Sequence, residues 1–574
     1  MLTLFKLRLG LVAATSAAAL AACGGNSSTP PADTAARLSC SDITTAALGQ
    51  SQLKITLTET IAADTVTPGG AAQALPAHCR VRGTLNDRVS AVDGKPYAIG
   101  FELRMPVLWN GRFFFQGGGG TDGAIVDALG SLSGAGSTTN GLTQGFAVVS
   151  TDGGHTSEAA PIVGGSLFGI DPQARVDYGY NAVGQVTTTA KSILSRFYGQ
   201  GPDRSYFVGC SNGGRQAMVA ASRFADQFDG IVAGDPGFNL PKAAVQHAWD
   251  NQAFAAAAPL YTDGKPIISA ALPIPDMALL ASKIVEKCDA LDGLADGMIN
   301  NPAACKAAFN IADLTCTGAK DATCLSSAQV TALQKVFAGP KNTAGTSLYA
   351  DWPLDAGVGT IGWRFWKLGF SATSVPDSLI ATLGGGALPY VFITPPASPS
   401  GAGTTVIDYL LGFSFDTDAP KISATGGVYT ESAMSFMTPP TPTDLSKLKA
   451  RGSKMIVFHG NSDPVFSVND TINWYEGLRA ANGGDASGFA RLFTVPGMNH
   501  CAGGPATDKF DTLTAIVNWV ENGVAPDSLT ASARADNTDA AAWPTRTRPL
   551  CAYPKAATYK GSGDVNVAAN FSCQ

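Results

Sequence analysis

The chain has few charged residues and no excess of basic ones. Charged side chains make up 15% of the 574 residues, and the formal net charge is −6. Proteins that bind nucleic acid usually carry a basic patch that neutralises phosphates, so the composition argues against a nucleic-acid partner. Beyond the N-terminus the sequence also lacks an apolar run of membrane-spanning length, so we expect membrane contact only through an N-terminal lipid anchor.

The N-terminus has the pattern of an export signal. Lys6 and Arg8 precede an alanine-rich apolar run, too short to span a bilayer, that ends in Leu20-Ala-Ala-Cys23-Gly. Leu-Ala-Ala-Cys resembles a bacterial lipobox, which predicts residues 1–22 as the signal and Cys23 as a lipidated first residue. The alternative is cleavage nearby without lipidation. Residues 23–39, rich in Ser, Thr, Pro and Ala, are predicted to be a flexible tether. We therefore expect a bacterial protein at the outer membrane, in the periplasm or outside the cell.

Cysteine is scarce, and its count fits this compartment. Without Cys23, ten of the eleven cysteines remain, and an even number in an exported chain is typical of a disulfide framework. Counting alone leaves the pairing open.

One short segment carries the strongest chemical signal. Residues 205–215 read Ser-Tyr-Phe-Val-Gly-Cys-Ser-Asn-Gly-Gly-Arg, which predicts a strand followed by a tight turn with Ser211 at its apex. The spacing Gly209-x-Ser211-x-Gly213 is that of a nucleophile elbow, in which the turn exposes the serine hydroxyl and leaves no room for larger side chains. Apolar residues at helical spacing predict a helix from Arg215 to Phe228. The alternative is an ordinary glycine-rich turn.

Few residues can serve as the base, since the chain has five histidines: His78, His155, His247, His459 and His500. In α/β-hydrolases the acid and the histidine follow the serine in that order. His247 lies in a predicted helix, and His459 ends a buried strand, where histidine is more often part of the core. His500 follows a strand and a Pro-Gly loop, which is where a mobile base is expected, and we predict it as the base.

The acid is predicted to be Asp463. It lies in the turn after the strand that begins at Met455, where a buried carboxylate can orient an imidazole. Asp235, after the strand from Gly230 to Gly234, is the main alternative, and Asp470 is a weaker one.

Two cysteines give independent support to this assignment. Cys210 directly precedes Ser211, and Cys501 directly follows His500. If serine and histidine touch, the two cysteines come within the Cα separation of about 4.4–6.8 Å that a disulfide requires. We therefore predict a Cys210–Cys501 disulfide; the alternative is two unrelated cysteines.

Together these motifs resemble the tannase and feruloyl esterase family of serine hydrolases. The resemblance runs over most of the chain and is carried by Gly209-Cys-Ser-x-Gly-Gly, Gly497-Met-Asn-His-Cys-Ala-Gly-Gly504, Leu103-Arg-Met-Pro, Trp109-Asn-Gly-Arg-Phe-Phe, Asp171-Pro-Gln-Ala-Arg, Cys288-Asp-Ala-Leu-Asp-Gly-Leu-Ala-Asp-Gly, Thr545-Arg-Thr-Arg-Pro-Leu-Cys and Tyr559-Lys-Gly-Ser-Gly-Asp. It implies four further disulfides: Cys40–Cys79, Cys288–Cys305, Cys316–Cys324 and Cys551–Cys573.

The distance between serine and acid predicts two domains. About 250 residues separate Ser211 from Asp463, and single cores seldom exceed about 250–300 residues. Strands and helices alternate in residues 40–237 and 442–574, which predicts an α/β-hydrolase domain with a mostly parallel sheet. Residues 238–441 lack that alternation and are predicted to form an inserted lid domain. The lid concentrates aromatic residues, most of them expected in its own core: Trp352, Trp363, Phe365, Trp366, Phe370, Tyr390 and Phe392.

An oxyanion hole requires two backbone amides. One is expected from Asn212, the residue after the nucleophile. The second is expected from the glycine-rich loop that follows Phe113-Phe-Phe-Gln, and by position in the family it is Gly120. A flexible glycine turn is the alternative.

A second candidate site is the acidic loop that contains Asp289, Asp292 and Asp296. Oxygen ligands at short spacing suit Ca²⁺, although the spacing is not that of an EF-hand, and an ordinary acidic surface loop is the alternative. The resemblance implies a structural calcium in the lid, held by the three carboxylates with the carbonyls of Leu294 and Met298. No organic cofactor is expected.

The predicted function is therefore a secreted serine esterase that cleaves aromatic esters through an acyl-enzyme. The resemblance implies Leu240 and Trp366 as walls of the ring pocket. It also implies that Ile380 stands where a terephthalate monoesterase has an arginine, and the chain has no arginine between Arg364 and Arg451. A buried carboxylate without a partner is costly, so we expect feruloyl- or galloyl-type esters to be preferred. The alternatives are hydrolysis of mono(2-hydroxyethyl) terephthalate to terephthalate and ethylene glycol, a peptidase, and an inactive lipid-anchored binding protein.

Overall fold

A long mixed sheet organises the chain in the computed structural model. The structure describes residues 33–63, 75–134, 139–160, 162–397 and 404–574. The predicted export signal and Cys23 lie outside the described residues. Among the helices in these ranges, none combines the length and the apolar character that crossing a bilayer requires.

Fifteen strands lie in the described ranges, and nine of them form the main sheet. Their bounds are β1 Thr34–Ala35, β2 Leu53–Ile61, β3 His78–Val89, β4 Pro96–Pro106, β5 Leu108–Trp109, β6 Arg112–Gln116, β7 Ala147–Thr151, β8 Arg204–Cys210, β9 Gly230–Gly234, β10 Lys454–Gly460, β11 Ala490–Val495, β12 Ser528–Ser532, β13 Thr547–Cys551, β14 Ala557–Tyr559 and β15 Phe571–Cys573.

The strand order in the main sheet is β11-β10-β9-β8-β6-β7-β4-β3-β2. The six strands from β11 to β7 pair in parallel, and β4, β3 and β2 continue the sheet in antiparallel pairing. Side chains alternate between two cores. Phe113 and Phe115 pack on one face of the sheet, while Phe114 packs on the other. A parallel sheet covered on both faces is the predicted α/β-hydrolase architecture, and that prediction is confirmed.

Fifteen α-helices are assigned in the same ranges. They are α1 Thr45–Leu48, α2 Pro172–Val176, α3 Ala182–Tyr198, α4 Asn212–Arg223, α5 Leu240–Ala255, α6 Ile274–Cys288, α7 Pro302–Ala308, α8 Ser327–Ala338, α9 Ile361–Lys367, α10 Gly385–Ala387, α11 Thr404–Gly412, α12 Ala433–Met437, α13 Ser446–Arg451, α14 Val468–Ala481 and α15 Thr512–Asn522. Helices α3 and α4 cover the face that contains Phe113 and Phe115, and α15 covers the opposite face.

The insertion leaves the sheet after β9 and returns at β10, its parallel neighbour. In the described part of this stretch the assigned regular elements are helices, α5 to α13, with only isolated β-bridges between them. Its core holds four of the aromatic residues singled out in the sequence, namely Trp352, Trp363, Tyr390 and Phe392. Turns of π-helix at Ile380–Gly384 and Leu388–Phe392 flank α10 and pack against α5, and residues of these elements line a cavity with Ser211 at the carboxyl end of β8.

Two sequence expectations need correction. The helix after Ser211 was expected to reach Phe228, but α4 ends at Arg223, because the chain must turn before it enters β9. The tether was expected to continue to residue 39, but Thr34 and Ala35 pair with β5, and the Arg37 amide donates to the Phe197 carbonyl. A composition typical of a linker does not show whether another strand of the protein has an edge with which the segment can pair.

Candidate active site

Ser211 occupies a strained turn between β8 and α4. Its φ and ψ are 65° and −125°, and its amide donates to the Gly234 carbonyl at 3.0 Å. The flanking glycines are required by close approach. A Cβ on Gly209 would lie 2.6 Å from the Gly213 carbonyl, and one on Gly213 would lie 2.6 Å from the Gly118 oxygen. The strand, turn and helix therefore have the geometry of a nucleophile elbow.

The structure brings the three predicted triad residues together. His500 Nε2 lies 2.8 Å from Ser211 Oγ, and His500 Nδ1 lies 2.8 Å from Asp463 Oδ2. Asp463 follows β10 and His500 follows β11, so the sheet delivers both at its carboxyl edge. This arrangement allows the imidazole to accept the serine proton while the carboxylate holds the other nitrogen.

Asp463 is fixed from several sides. Its Oδ1 accepts the amides of Val465 and Phe466 at 2.8 and 3.1 Å, and its Oδ2 lies 3.2 Å from His459 Nε2. Burial alone would raise the pKa of this carboxyl, but His500 and His459 outweigh burial and hold the pKa below its usual range. The group is therefore held ionised and in one orientation.

The alternative acids have other partners. Asp235 Oδ1 accepts the Gly460 amide at 2.9 Å and lies 3.9 Å from His459 Nε2, and burial raises its pKa to about 7. Both carboxylate oxygens of Asp470 accept hydrogen bonds from the side-chain amide of Asn239, each at 3.0 Å. In the described part of the chain, neither is hydrogen-bonded to His500. His459, expected in the core, is fully buried and also contacts Thr471 Oγ1 at 2.9 Å.

All five predicted disulfides are present in the structure: Cys40–Cys79, Cys210–Cys501, Cys288–Cys305, Cys316–Cys324 and Cys551–Cys573. The Cα atoms of Cys210 and Cys501 are 6.1 Å apart. This bridge ties the serine turn covalently to the histidine loop, as their adjacency in the sequence predicted.

The two predicted oxyanion donors border the same cavity. Gly120, with φ 55°, lies on the loop after β6, and Asn212 is the first residue of α4. Neither backbone amide donates to another group within the described ranges. The Asn212 side chain donates to Asp122 at 2.5 Å and accepts from Arg215 at 2.7 Å, which fixes the helix start. Burial raises the pKa of Asp122 to about 6.

A small, largely apolar cavity opens at Ser211. It includes both predicted ring-pocket walls, and its lining consists of Gly120, Thr121, Tyr178, Ser211, Asn212, Leu240, His247, Trp366, Leu383, Gly384, Ala387, Phe392, Val465 and Phe466. The Trp366 and Phe466 rings meet the His500 ring edge to face, with centroids 4.8 and 5.4 Å away. Ile380 is fully buried but is not part of this lining.

The sequence reasoning did not identify Tyr178, Phe392, Phe466 or His247 as pocket residues. A signal existed for two of them. Phe466 follows the predicted acid by three residues. His247 follows Leu240 by seven residues, which places Leu240 and His247 on the same face of a helix. Tyr178 and Phe392 approach only through the tertiary fold.

The acidic loop is ordered by its own amides. Asp289 accepts from the amides of Asp296 and Gly297, Asp292 accepts from Leu294 and Asn300, and Asp296 contacts Arg548. Among the described residues, the clusters of three His, Cys, Asp or Glu side chains that lie close enough together to hold a metal ion do not include Asp289, Asp292 or Asp296. The carbonyl oxygens of Leu294 and Met298 accept no hydrogen bond from the described residues, so the two carbonyl ligands that the resemblance implies are unpaired.

Comparison with known proteins places this geometry in context. Residues 79–574 match the family model described as tannase and feruloyl esterase. The chain is 47% identical over 523 residues to mono(2-hydroxyethyl) terephthalate hydrolase from Piscinibacter sakaiensis, a match that covers 88% of this chain and 85% of that protein. It is 28% identical over 492 residues to a probable feruloyl esterase from Arthroderma benhamiae, with 82% and 81% covered. The crystal structure of feruloyl esterase B from Aspergillus oryzae superposes with a TM-score of 0.72 at 23% identity, covering 92% of this chain and 97% of that one, and shows the same fold.

Proposed function

The chain belongs to the tannase and feruloyl esterase family, and from this membership we propose that it is a serine esterase that hydrolyses aromatic carboxylic esters through an acyl-enzyme. The observation that carries the proposal is the pair of 2.8 Å contacts that links Ser211 to His500 and His500 to Asp463.

In the first half of the reaction, Ser211 Oγ attacks the ester carbonyl as His500 Nε2 takes its proton. The carbonyl oxygen becomes an oxyanion, and the amides of Gly120 and Asn212 donate to it. Asp463 stabilises the imidazolium through Nδ1–H. The tetrahedral intermediate then expels the alcohol, which receives the proton from His500, and the acyl group remains on Ser211.

In the second half, water replaces the alcohol. His500 takes a proton from the water as the water oxygen attacks the acyl carbonyl, and the same two amides donate to the oxyanion. The intermediate collapses, the Ser211–acyl bond breaks, and Ser211 recovers its proton from His500. The products are the aromatic acid and the alcohol.

The lining of the cavity favours a neutral aromatic acyl group. Leu240, Trp366 and Phe392 offer apolar surface, and no lysine or arginine is among the lining residues. The nearby cations have other partners. Lys367 is buried against Asp250 at 2.5 Å, and Arg364 donates to main-chain carbonyls of Leu272 and Ser269. A free carboxylate on the ring would therefore enter without a charged partner.

Substrate preference is tested by kcat/KM for methyl ferulate, methyl gallate and mono(2-hydroxyethyl) terephthalate. We expect the terephthalate monoester to be the poorest of the three by at least about tenfold, because its carboxylate loses hydration without gaining an ion pair. The dimethyl ester of terephthalate is the control, since it keeps the ring and removes the charge. Fastest turnover of the monoester would contradict this preference.

A second candidate is hydrolysis of mono(2-hydroxyethyl) terephthalate as the main activity. The 47% identity to the enzyme named for that substrate favours it. It is the same reaction on a different acyl group and alcohol, so the same three substrates decide between the two candidates. A peptidase is separated by comparing the anilide of the best acid with its ester.

We further propose that the acidic loop binds a structural calcium ion. Asp289, Asp292 and Asp296 with the unpaired carbonyls of Leu294 and Met298 form an oxygen-only donor set, which suits this cation. Burial raises the pKa of Asp292, and a bound cation would offset the cost of keeping that carboxylate ionised. Arg546 and Arg548 join this loop to the C-terminal strands, so the ion would stabilise that junction and take no part in ester cleavage.

Calcium binding is tested by thermal unfolding in EGTA, in calcium and in magnesium. A ligand at 100 times its Kd stabilises the folded state by about 2.7 kcal/mol, so calcium should raise the melting temperature measurably above the EGTA value. Asp292→Asn should abolish the shift, whereas Asp313→Asn, a change at an exposed acid outside the loop, should retain it. Identical melting curves with and without calcium would contradict the site.

Five disulfides fit a secreted protein. We propose that Cys23 is its lipidated first residue and anchors it to a membrane, on the basis of the lipobox-like sequence before it.

A further inference from the structure

His247 has an unusual position for a buried histidine. It lies on α5, is 1% exposed, and borders the cavity that contains Ser211. His247 has no role in the proposed mechanism, because His500 already contacts both the serine and the acid.

The hydrogen bond of one ring nitrogen fixes the state of the other. His247 Nε2 lies 3.2 Å from the carbonyl oxygen of Val465, and a carbonyl can only accept, so Nε2 carries the proton. In the neutral ring, Nδ1 is then an acceptor. Burial, followed by the charge of Lys367, lowers the pKa of His247 to about 3, which keeps the ring neutral at ordinary pH.

Nδ1 is buried and has no hydrogen-bond partner among the residues that the structure describes. It packs against Gly384, another residue of the cavity lining, and a Cβ on that glycine would lie only 2.1 Å from Nδ1. At that distance the added carbon would clash with the imidazole, so any other residue at position 384 would displace the His247 ring or the turn that holds Gly384. An unpaired buried acceptor destabilises the folded protein unless a ligand satisfies it.

We propose that His247 Nδ1 accepts a hydrogen bond from a hydroxyl on the acyl ring of the substrate, and so selects phenolic esters over their methoxylated or unsubstituted counterparts. The inference rests on the proposed esterase function and names the ring substituent which that site prefers. Leu240, seven residues earlier on the same face of α5, supplies the neighbouring apolar wall. A hydroxyl is the fitting group because it can donate, whereas a methoxyl cannot.

The test uses methyl cinnamates that carry a hydroxyl, a methoxyl or hydrogen at ring position 3 or 4. At one of these positions, kcat/KM for the hydroxyl ester should exceed that of the other two by about 10- to 100-fold. In His247→Phe, which keeps a ring and removes both nitrogens, the ratio should fall below about threefold. A ratio of two substrates does not depend on the folded fraction, so it stays readable in a less stable variant.

Two matched controls separate the hydrogen bond from general disturbance. His78 is also buried, with Nδ1 donating to the Pro76 carbonyl at 2.7 Å and Nε2 unpaired within the described part of the chain. It lies outside the cavity, so His78→Phe should keep the ratio. Gly384→Ala should lower the ratio, because the added carbon would clash with the imidazole and displace Nδ1. Gly386→Ala should not, because its Cβ would meet nothing closer than 3.4 Å.

Binding distinguishes failure of this inference from failure of the proposed function. Calorimetry of the same esters with Ser211→Ala should show the hydroxyl ester bound about tenfold or more tightly, and Ser211→Ala/His247→Phe should lose that preference. If the wild-type protein cleaved no ester and this binding preference were still found, the inference would be supported and the esterase proposal contradicted. Equal affinity for hydroxyl and methoxyl esters at both positions, or a preference that survives His247→Phe, overturns the inference.

Discussion

Ser211→Ala is expected to lower kcat for methyl ferulate by roughly 10⁶-fold, since loss of the nucleophile in a serine hydrolase has an effect of that size. His500 and both oxyanion amides would remain in place, but nothing would be left for the imidazole to activate. Steady-state assays with enough enzyme to detect the residual rate measure this effect.

Ser453→Ala is the matched control for the nucleophile. Its hydroxyl is buried and donates to the Phe228 carbonyl, and Ser453 lies at the opposite end of β10 from the site. We expect this variant to keep nearly full activity and its labelling by a fluorophosphonate, while Ser211→Ala loses both. Persistent labelling of Ser211→Ala at another serine, together with normal ester turnover, would remove the basis of the proposed mechanism.

The proximity of the three candidate triad residues could be predicted from the sequence, because each of them lies beside a signal that needs no tertiary information. The glycines of the elbow identify Ser211, and the ends of two strands identify Asp463 and His500. The two cysteines indicate that Ser211 and His500 lie close together. These are local patterns joined by one topological rule, that carboxyl ends of parallel strands meet at one edge. The geometry then follows from the sheet.

The pocket was harder to predict, because its walls come from segments with no common pattern. His247, on α5, faces Gly384 at the end of a π-helical turn about 140 residues later, and no periodicity links them. The resemblance implied Ile380 as the position at which a terephthalate monoesterase has an arginine, whereas the cavity lining includes Leu383 and Gly384, three and four residues further along the chain. Irregular helical turns shift which residues face inward, and a count along the sequence does not detect such a shift.

Asp463→Asn is expected to lower kcat/KM by about 10⁴-fold, much more than Asp235→Asn. Oδ1 of Asp463 accepts two backbone amides, so the amide oxygen of an asparagine would take that position and its NH₂ would face His500. Nδ1 would then have to accept, the proton would sit on Nε2, and the imidazole could no longer take the proton of Ser211. The serine would remain in place without a base.

Asp235→Asn tests the alternative acid with the same chemical change. Its Oδ1 accepts the Gly460 amide, a contact that asparagine can reproduce, and its neighbour His459 keeps Asp463 as a partner. We expect less than about a tenfold loss, measured as kcat/KM on methyl ferulate across pH. If Asp235→Asn proved the more damaging of the two, the acid would have to be reassigned, and the 2.8 Å contact between Asp463 and His500 would be structural only.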